Sequence, residues 1–201
     1  DESIWGGIKK SGRSGFFGNT EDKLEQETTK ILPNFTKRSR AYLEIQNGCD
    51  HSCTFCIIPQ GRGLSKSVAM DTILEKISNI VEKGFKEIVL TGVDITSWGS
   101  DLAGNDKLGD LVIKILDEIP KLPRLRLSSL DVSEMDDSLL HVYKTNKRMM
   151  PHLHLSLQSG NNLILKRMKR RHSREQAIDL CRNLKAARPE LTFGADLIAG
   201  F

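Results

Sequence analysis

The sequence has little of what would make a disulfide-stapled, secreted or membrane-spanning protein. Four cysteines in 201 residues are too few for the cystine framework of a small secreted domain. No run reaches the ~18 consecutive apolar residues of a membrane span; the longest apolar pieces are of the size of Ile88-Val89-Leu90. The chain opens on Asp1 without a basic stretch leading into an apolar one, so no secretory leader is legible. Aromatic residues make up 5% of the chain, which gives no sign of a base-stacking RNA-recognition sheet. A net charge of +4, from 30 basic and 26 acidic side chains, is weak support for a nucleic-acid partner. It also argues against disorder of the whole chain. What remains is a cytoplasmic, membrane-free protein of a reducing compartment, long enough to bury a core. Its few cysteines need a chemical explanation. The absent initiator methionine points to a fragment of something larger.

Residues 1–39 differ from the rest. Gly6, Gly7, Gly12, Gly15 and Gly18 sit among Lys, Ser, Asn and Glu, and the apolar residues keep no period. This segment reads as a linker, the alternative being an ordered connector to a further N-terminal domain. From residue 40 the pattern is regular. Short apolar strands are expected at 41–46, 87–91, 124–129, 152–158 and 191–198. Met70, Ile73, Leu74, Ile77, Ile80 and Val81 repeat at helical spacing up to Gly84, and Leu108 to Ile119 form a second apolar helix face ended by Pro120 and Pro123. Further helices are expected at 136–144 and 173–187. Strands alternating with helices imply an α/β protein with a parallel sheet. An open doubly wound sheet and an incomplete barrel both fit, and either places functional residues at the carboxyl ends of strands. No internal repeat stands out.

Cys49, Cys53 and Cys56, spaced C-x3-C-x2-C, follow the first strand in a loop bounded by Asn47-Gly48 and Gly61-Arg62-Gly63. Three thiolates so close in sequence can converge on one metal centre. A closed zinc site needs a fourth ligand, which His51 or Cys181 would have to supply. A four-iron cluster held by three cysteines instead keeps one iron open for an exogenous ligand. Cys181 alone is most simply a small apolar residue on the helix face of Ile178 and Leu184.

The cysteine motif with Phe55 before its third member resembles the signature of the radical S-adenosylmethionine (SAM) superfamily. The longer string Ile45-Gln46-Asn47-Gly48-Cys49 through Cys53-Thr54-Phe55-Cys56-Ile57-Ile58-Pro59 and Arg62-Gly63 resembles its methylthiotransferase branch. The match is closest to the tRNA N6-threonylcarbamoyladenosine methylthiotransferases. Leu90-Thr91-Gly92-Val93, Arg126-Leu127-Ser128-Ser129, His154 to Gly160, Leu165 to Met168 and Ala195 to Phe201 match as well. The resemblance implies a partial TIM-like (β/α) radical SAM barrel over 40–201, truncated after the fifth strand. A C-terminal RNA-binding domain and an N-terminal domain with a second 4Fe-4S cluster would be missing. It further implies that Cys49, Cys53 and Cys56 ligate a 4Fe-4S cluster whose open iron chelates SAM. Phe55, the turn Thr91-Gly92-Val93, Ser129, Ser156, Gln158, Ile198 and Gly200 would line the SAM site.

The expected reaction inserts a methylthio group at carbon 2 of a modified adenine beside the tRNA anticodon. An electron-donor protein and a sulfur source would be partners, and a monomer is expected. Rival substrates are isopentenyladenosine in tRNA and an aspartate of a ribosomal protein. A different class altogether is a non-enzymatic, zinc-stabilised RNA-binding module. In the basic run Lys166, Arg167, Lys169, Arg170, Arg171 and Arg174, Arg167 is expected nearer the pocket and Arg170 or Arg171 outward, toward tRNA phosphates. Asp131 stands where relatives often carry Glu. It keeps the charge on a shorter arm, and its role is left open.

Overall fold

The computed structural model describes residues 39–201. The linker expected over 1–39 lies, but for its last residue, outside the described residues. Strand β1 (Arg40–Asn47) is followed by the short helix α1 (Ile58–Arg62), the two-residue strand β2 (Lys66–Ser67), helix α2 (Met70–Glu82) and strand β3 (Glu87–Gly92). Helix α3 (Leu108–Glu118), strand β4 (Arg124–Leu127), helix α4 (Asp137–Thr145) and strand β5 (His152–Gln158) come next. Helices α5 (Asn162–Arg167) and α6 (Arg174–Ala187) lead to strand β6 (Thr192–Leu197).

β1 pairs with β3, β3 with β4 and β5 with β6, all parallel, and β2 lies antiparallel on the end of β1. The parallel bridges Leu125–Met149 and Leu130–Leu155 carry the array from β4 to β5. Five parallel strands thus follow one another in chain order. Each crossover carries a helix, and the whole is a partial TIM-like (β/α) barrel. Among the described residues, no helix is long and apolar enough to cross a membrane.

The predicted apolar faces build the core. Ile73, Ile77 and Ile80 of α2 and Leu108, Leu111, Val112, Ile115 and Leu116 of α3 are buried against Leu43, Ile45, Ile88, Leu90, Leu125 and Leu127 of the sheet. Truncating any one fully buried Leu or Ile to Ala costs about 2–5 kcal/mol. The helix starts follow from sequence. Asp136 accepts from the Leu139 N–H, Ser173 and Gln176 form a reciprocal capping box, and Asn161 accepts from Leu163 and Ile164. At the other end of α3, the Arg148 guanidinium donates to the carbonyls of Leu116, Ile119 and Leu122.

Three elements escape the periodicity. α1, β2 and α5 hold five, two and six residues, too few for a period to register. The strand expected over 124–129 stops at Leu127. There the Ser128 N–H still donates to Leu90, and Leu130 then turns onto β5 by exchanging bonds with His154 and Ser156.

At the amino ends of the strands, one carboxylate gathers three guanidinium groups. Glu87 starts β3 beside Arg40 of β1 and Arg124 of β4. Its Oε1 lies 2.9 Å from Arg40 Nε and 2.8 Å from Arg126 Nε, and its Oε2 lies 3.3 Å from Arg124 Nε. Burial alone would raise the Glu87 carboxyl, but the hydrogen bond and charge of Arg126 and the charge of Arg40 outweigh it. The net effect holds the carboxyl below its ordinary value.

Candidate functional site

The cysteine loop springs from the carboxyl end of β1, and its neck admits only glycine. Gly48 has φ +74°, and a Cβ there would stand 2.0 Å from the Leu64 carbonyl oxygen. The loop closes where the Cys49 N–H donates to the Gly63 carbonyl at 3.1 Å. Beneath it lies Gln46, fully buried. Its Nε2 donates to the Gly48 carbonyl at 2.9 Å and to Ser65 Oγ at 3.0 Å, and its Oε1 accepts from the Asp94 N–H at 2.8 Å. One amide thus joins the loop to the turn after β3. Gly92 of that turn backs onto Gln46 so closely that a Cβ would lie 2.8 Å from Gln46 Oε1.

Within the loop, Cys49, Cys53 and Cys56 are all half-buried and unbridged. The Cys56 N–H donates to the Cys53 carbonyl. Thr54 fastens the loop to the end of α5, its N–H to Met168 and its hydroxyl to Arg167 carbonyl oxygens. Burial, with the Asp94 carboxylate close by, pushes the Cys49 thiol up to about 11, against the pull of the His51 N–H that it accepts. Such a thiol is protonated at neutral pH, so a metal that takes it must displace a proton. Three free thiols in one loop are a soft donor set that suits an iron–sulfur cluster. Cys181 lies on α6, packed against the core.

Asp94 is the acidic neighbour of the loop. Its Oδ2 is 3.6 Å from Cys49 Sγ and 2.9 Å from His51 Nε2, and His51 Nε2 is 3.3 Å from Glu134 Oε1. The His51 contacts are close, but they are not aligned as hydrogen bonds. Cys49, His51 and Asp94 place one donor atom each within 4.8 Å of one another. Of the ligands weighed for zinc, His51 is therefore the one that stands beside a loop cysteine. Burial and Glu134 raise the Asp94 carboxyl, with Ser97 and His51 opposing.

The basic run is arranged differently from the expectation. Arg167 is exposed, and only its carbonyl engages the loop. Arg170 turns inward, with its side chain 9% exposed. Its Nη2 donates to Asp131 Oδ2 at 2.7 Å and to the Ser156 carbonyl at 2.6 Å. Arg171 pairs with Glu134 at 2.6 Å and reaches Asp131 at 3.5 Å. The physical reason lies in the end of α5. Lys169 adopts φ +58°, and the Arg170 N–H bonds back to the Leu165 carbonyl, so the chain reverses and carries Arg170 under the strand ends. Lys169, Arg170 and Arg171 then line a cleft of about 210 Å³ with Asp50, His51, Ser52 and Cys53.

The other expected site residues all sit at or after carboxyl strand ends. Thr91 and Gly92 end β3 and Val93 follows it, all half-buried. Ser129 Oγ lies 2.9 Å from His154 Nδ1, and the Ser156 carbonyl is held by Arg170. Gln158 takes φ +65° at a register shift in β5, and its carbonyl accepts from the Ile198 N–H. Ile198 and Gly200 are exposed beyond β6. Phe55 meets Phe201 edge-to-face at 6.4 Å. Sequence reasoning missed Gln46, Asp94 and Glu134. A polar Gln in the apolar run after Leu43 and Ile45 was the one available signal.

A protein-family model described as the Radical SAM superfamily matches residues 43–201. The chain is 49% identical over 178 residues to threonylcarbamoyladenosine tRNA methylthiotransferase MtaB of Rickettsia prowazekii, covering 89% of this chain and 42% of that one. It is 39% identical to the tRNA-2-methylthio-N(6)-dimethylallyladenosine synthase of Orientia tsutsugamushi, covering 90% of this chain and 41% of that one. The chain thus spans about two fifths of the length of these relatives. Among solved structures, the radical S-adenosylmethionine methyltransferase TsrM of Kitasatospora setae superposes with a TM-score of 0.63 at 14% identity, over 78% of this chain and 30% of that one. At that identity the likeness is one of fold.

Proposed function

Because the chain belongs to the radical SAM superfamily, we propose that it is the catalytic core of a tRNA methylthiotransferase acting at carbon 2 of N6-threonylcarbamoyladenosine beside the anticodon. The observation that carries the proposal is the loop 48–63, in which three free thiols stand at the carboxyl end of β1, tied by Gln46 to the Gly92 turn. Cys49, Cys53 and Cys56 would hold a 4Fe-4S cluster with one open iron for SAM. When bound, that cluster supplies the electron that cleaves SAM to methionine and a 5′-deoxyadenosyl radical.

The residues of the chain do the positioning. Gly92 and the backbone of Thr91 and Val93 would receive the methionine end of SAM, with Gly92 pressed against Gln46 where no side chain fits. Phe55, Ile198 and Gly200 would face the adenine, and Ser129, Ser156 and Gln158 would lie toward the ribose or carboxylate. A nucleotide splayed from the anticodon loop is the accessible kind of target base. The narrower substrate choice rests on 49% identity to the threonylcarbamoyl relative against 39% to the dimethylallyl one. On the same reading, a second 4Fe-4S cluster, an electron-donor protein and a sulfur source complete the reaction from outside residues 40–201, and the enzyme works in the cytoplasm.

The test is nucleoside mass spectrometry of tRNA from cells lacking the full-length gene. Loss of the methylthio group from the threonylcarbamoyl nucleoside is expected. Its loss from the isopentenyl nucleoside instead, or no change in either, overturns the assignment.

A further inference from the structure

Arg170 is bound in a way that a purely structural ion pair does not require. Its guanidinium is nine-tenths buried, and taking such a cation out of water is costly unless its donors are matched. Yet Nε is buried without a partner. Nη2 spends its hydrogens on Asp131 and on the Ser156 carbonyl. Nη1 points to the Cys53 sulfur at 3.8 Å. The backbone that brings it there is itself strained. Lys169, which is not glycine, occupies the left-handed region at φ +58°, a conformation that costs on the order of 1 kcal/mol and persists where surroundings enforce it.

The anion that aims the fork is Asp131. Burial would raise its carboxyl. The Ser133 hydroxyl and N–H, with the charges of Arg170 and Arg171, outweigh burial and keep it ionised. Ser133 is 2.6 Å away on Oδ1, which leaves Oδ2 for Arg170. Asp131 is itself fixed by its N–H on Thr96 Oγ1. The short arm of Asp131 thus suffices to reach the guanidinium.

We infer that Arg170 is a positioning residue for the iron–sulfur centre: aimed by Asp131, it donates to the Cys53 sulfur and thereby sets the reduction potential of the cluster that Cys53 ligates. The inference rests on the cluster assignment made above. A cationic donor on a ligating thiolate drains negative charge from the cluster and favours the reduced form, since hydrogen bonds to sulfur tune these potentials. Removing it makes reduction harder.

The experiment is a redox titration of the full-length protein, reconstituted anaerobically, following the electron paramagnetic resonance signal that changes when SAM is added. Arg170→Gln is expected to lower the potential by about tenfold in the reduction equilibrium, which is about 59 mV for a one-electron couple. Arg170→Lys keeps the charge and loses the fork, so a smaller fall is expected, and it serves if the Gln variant does not fold. Arg182→Gln, the same charge change on a side chain 78% exposed, should leave the potential in place. Asp131→Asn separates positioning from bulk charge. Loss of an anion alone would raise the potential, whereas loss of aim lowers it in step with Arg170→Gln. An unchanged potential in both Arg170 variants, or a rise in Asp131→Asn, overturns the inference. A wild-type protein without any SAM-responsive iron–sulfur signal overturns the cluster assignment instead.

Discussion

The two ends of the parallel strands use the same chemistry, arginine against carboxylate, to opposite purpose. At the amino ends, both oxygens of Glu87 are occupied, by Arg40 of β1 and by Arg124 and Arg126 of β4, the two strands that flank β3. At the carboxyl ends, Arg170 and Arg171 meet Asp131 and Glu134, but Arg170 Nε is unmatched and a further donor faces a thiol. The first cluster takes up both carboxylate oxygens with arginines of the flanking strands, and so ties β1, β3 and β4 together. The second is unsaturated and borders a cleft, and residual bonding capacity of that kind is what a ligand or cluster uses. The comparison extends to the backbone. The two non-glycine residues with positive φ among the described residues, Gln158 and Lys169, both lie at the carboxyl end, where strain is tolerated because function needs the geometry.

The largest effect separates chemistry from fold. Replacing Cys49, Cys53 or Cys56 with Ala should remove cluster-dependent SAM cleavage and most of the roughly four irons per chain expected after anaerobic reconstitution, while the far-ultraviolet circular dichroism is kept. Cys181→Ala should retain both. One tightly held zinc without labile sulfide in the parent protein would turn the carboxyl end into the zinc-stabilised alternative.

The reverse experiment is made at the amino end. Glu87→Gln strands three guanidinium groups around a neutral side chain and should cost about 3 kcal/mol in denaturant unfolding, with iron content unchanged. Because folding depresses the Glu87 carboxyl below 4.5, its contribution is full above that pH and is lost as pH falls through the folded value. The parent should therefore lose stability on acidification where Glu87→Gln loses less. Equal acid slopes in the two proteins would mean that Glu87 is no keystone. The smallest effect tests the flank of the carboxyl end. Ser173→Ala removes the capping box of α6 and should cost about 1 kcal/mol, visible as a small shift of the unfolding midpoint with full cluster content.

What was legible in the sequence divides along the same line. The α2 and α3 faces and the five strands depend on residues a few positions apart, and local spacing records them. The three cysteines were legible for the same reason. Arg170 was not, because its partners Asp131 and Cys53 lie 39 and 117 positions away. Nothing local distinguishes it from Arg167 in a run of cations. The left-handed turn at Lys169 decides which arginine turns inward, and without glycine or asparagine it leaves no mark in the sequence. Gln46 was hidden similarly, since its partners Ser65 and Asp94 come from later segments.

Arg148 makes the end of one helix depend on a much later part of the chain. Helix α3 ends near residue 118, but the carbonyls of its last turn and of the loop after it are satisfied by a guanidinium about thirty positions downstream. The Ile119 carbonyl also accepts from the Leu122 N–H, whereas Pro120 leaves the Leu116 carbonyl without the usual helical N–H four residues on, so the guanidinium replaces a donor that the helix cannot supply. One side chain thus latches the first half of the barrel to the segment that leads into β5.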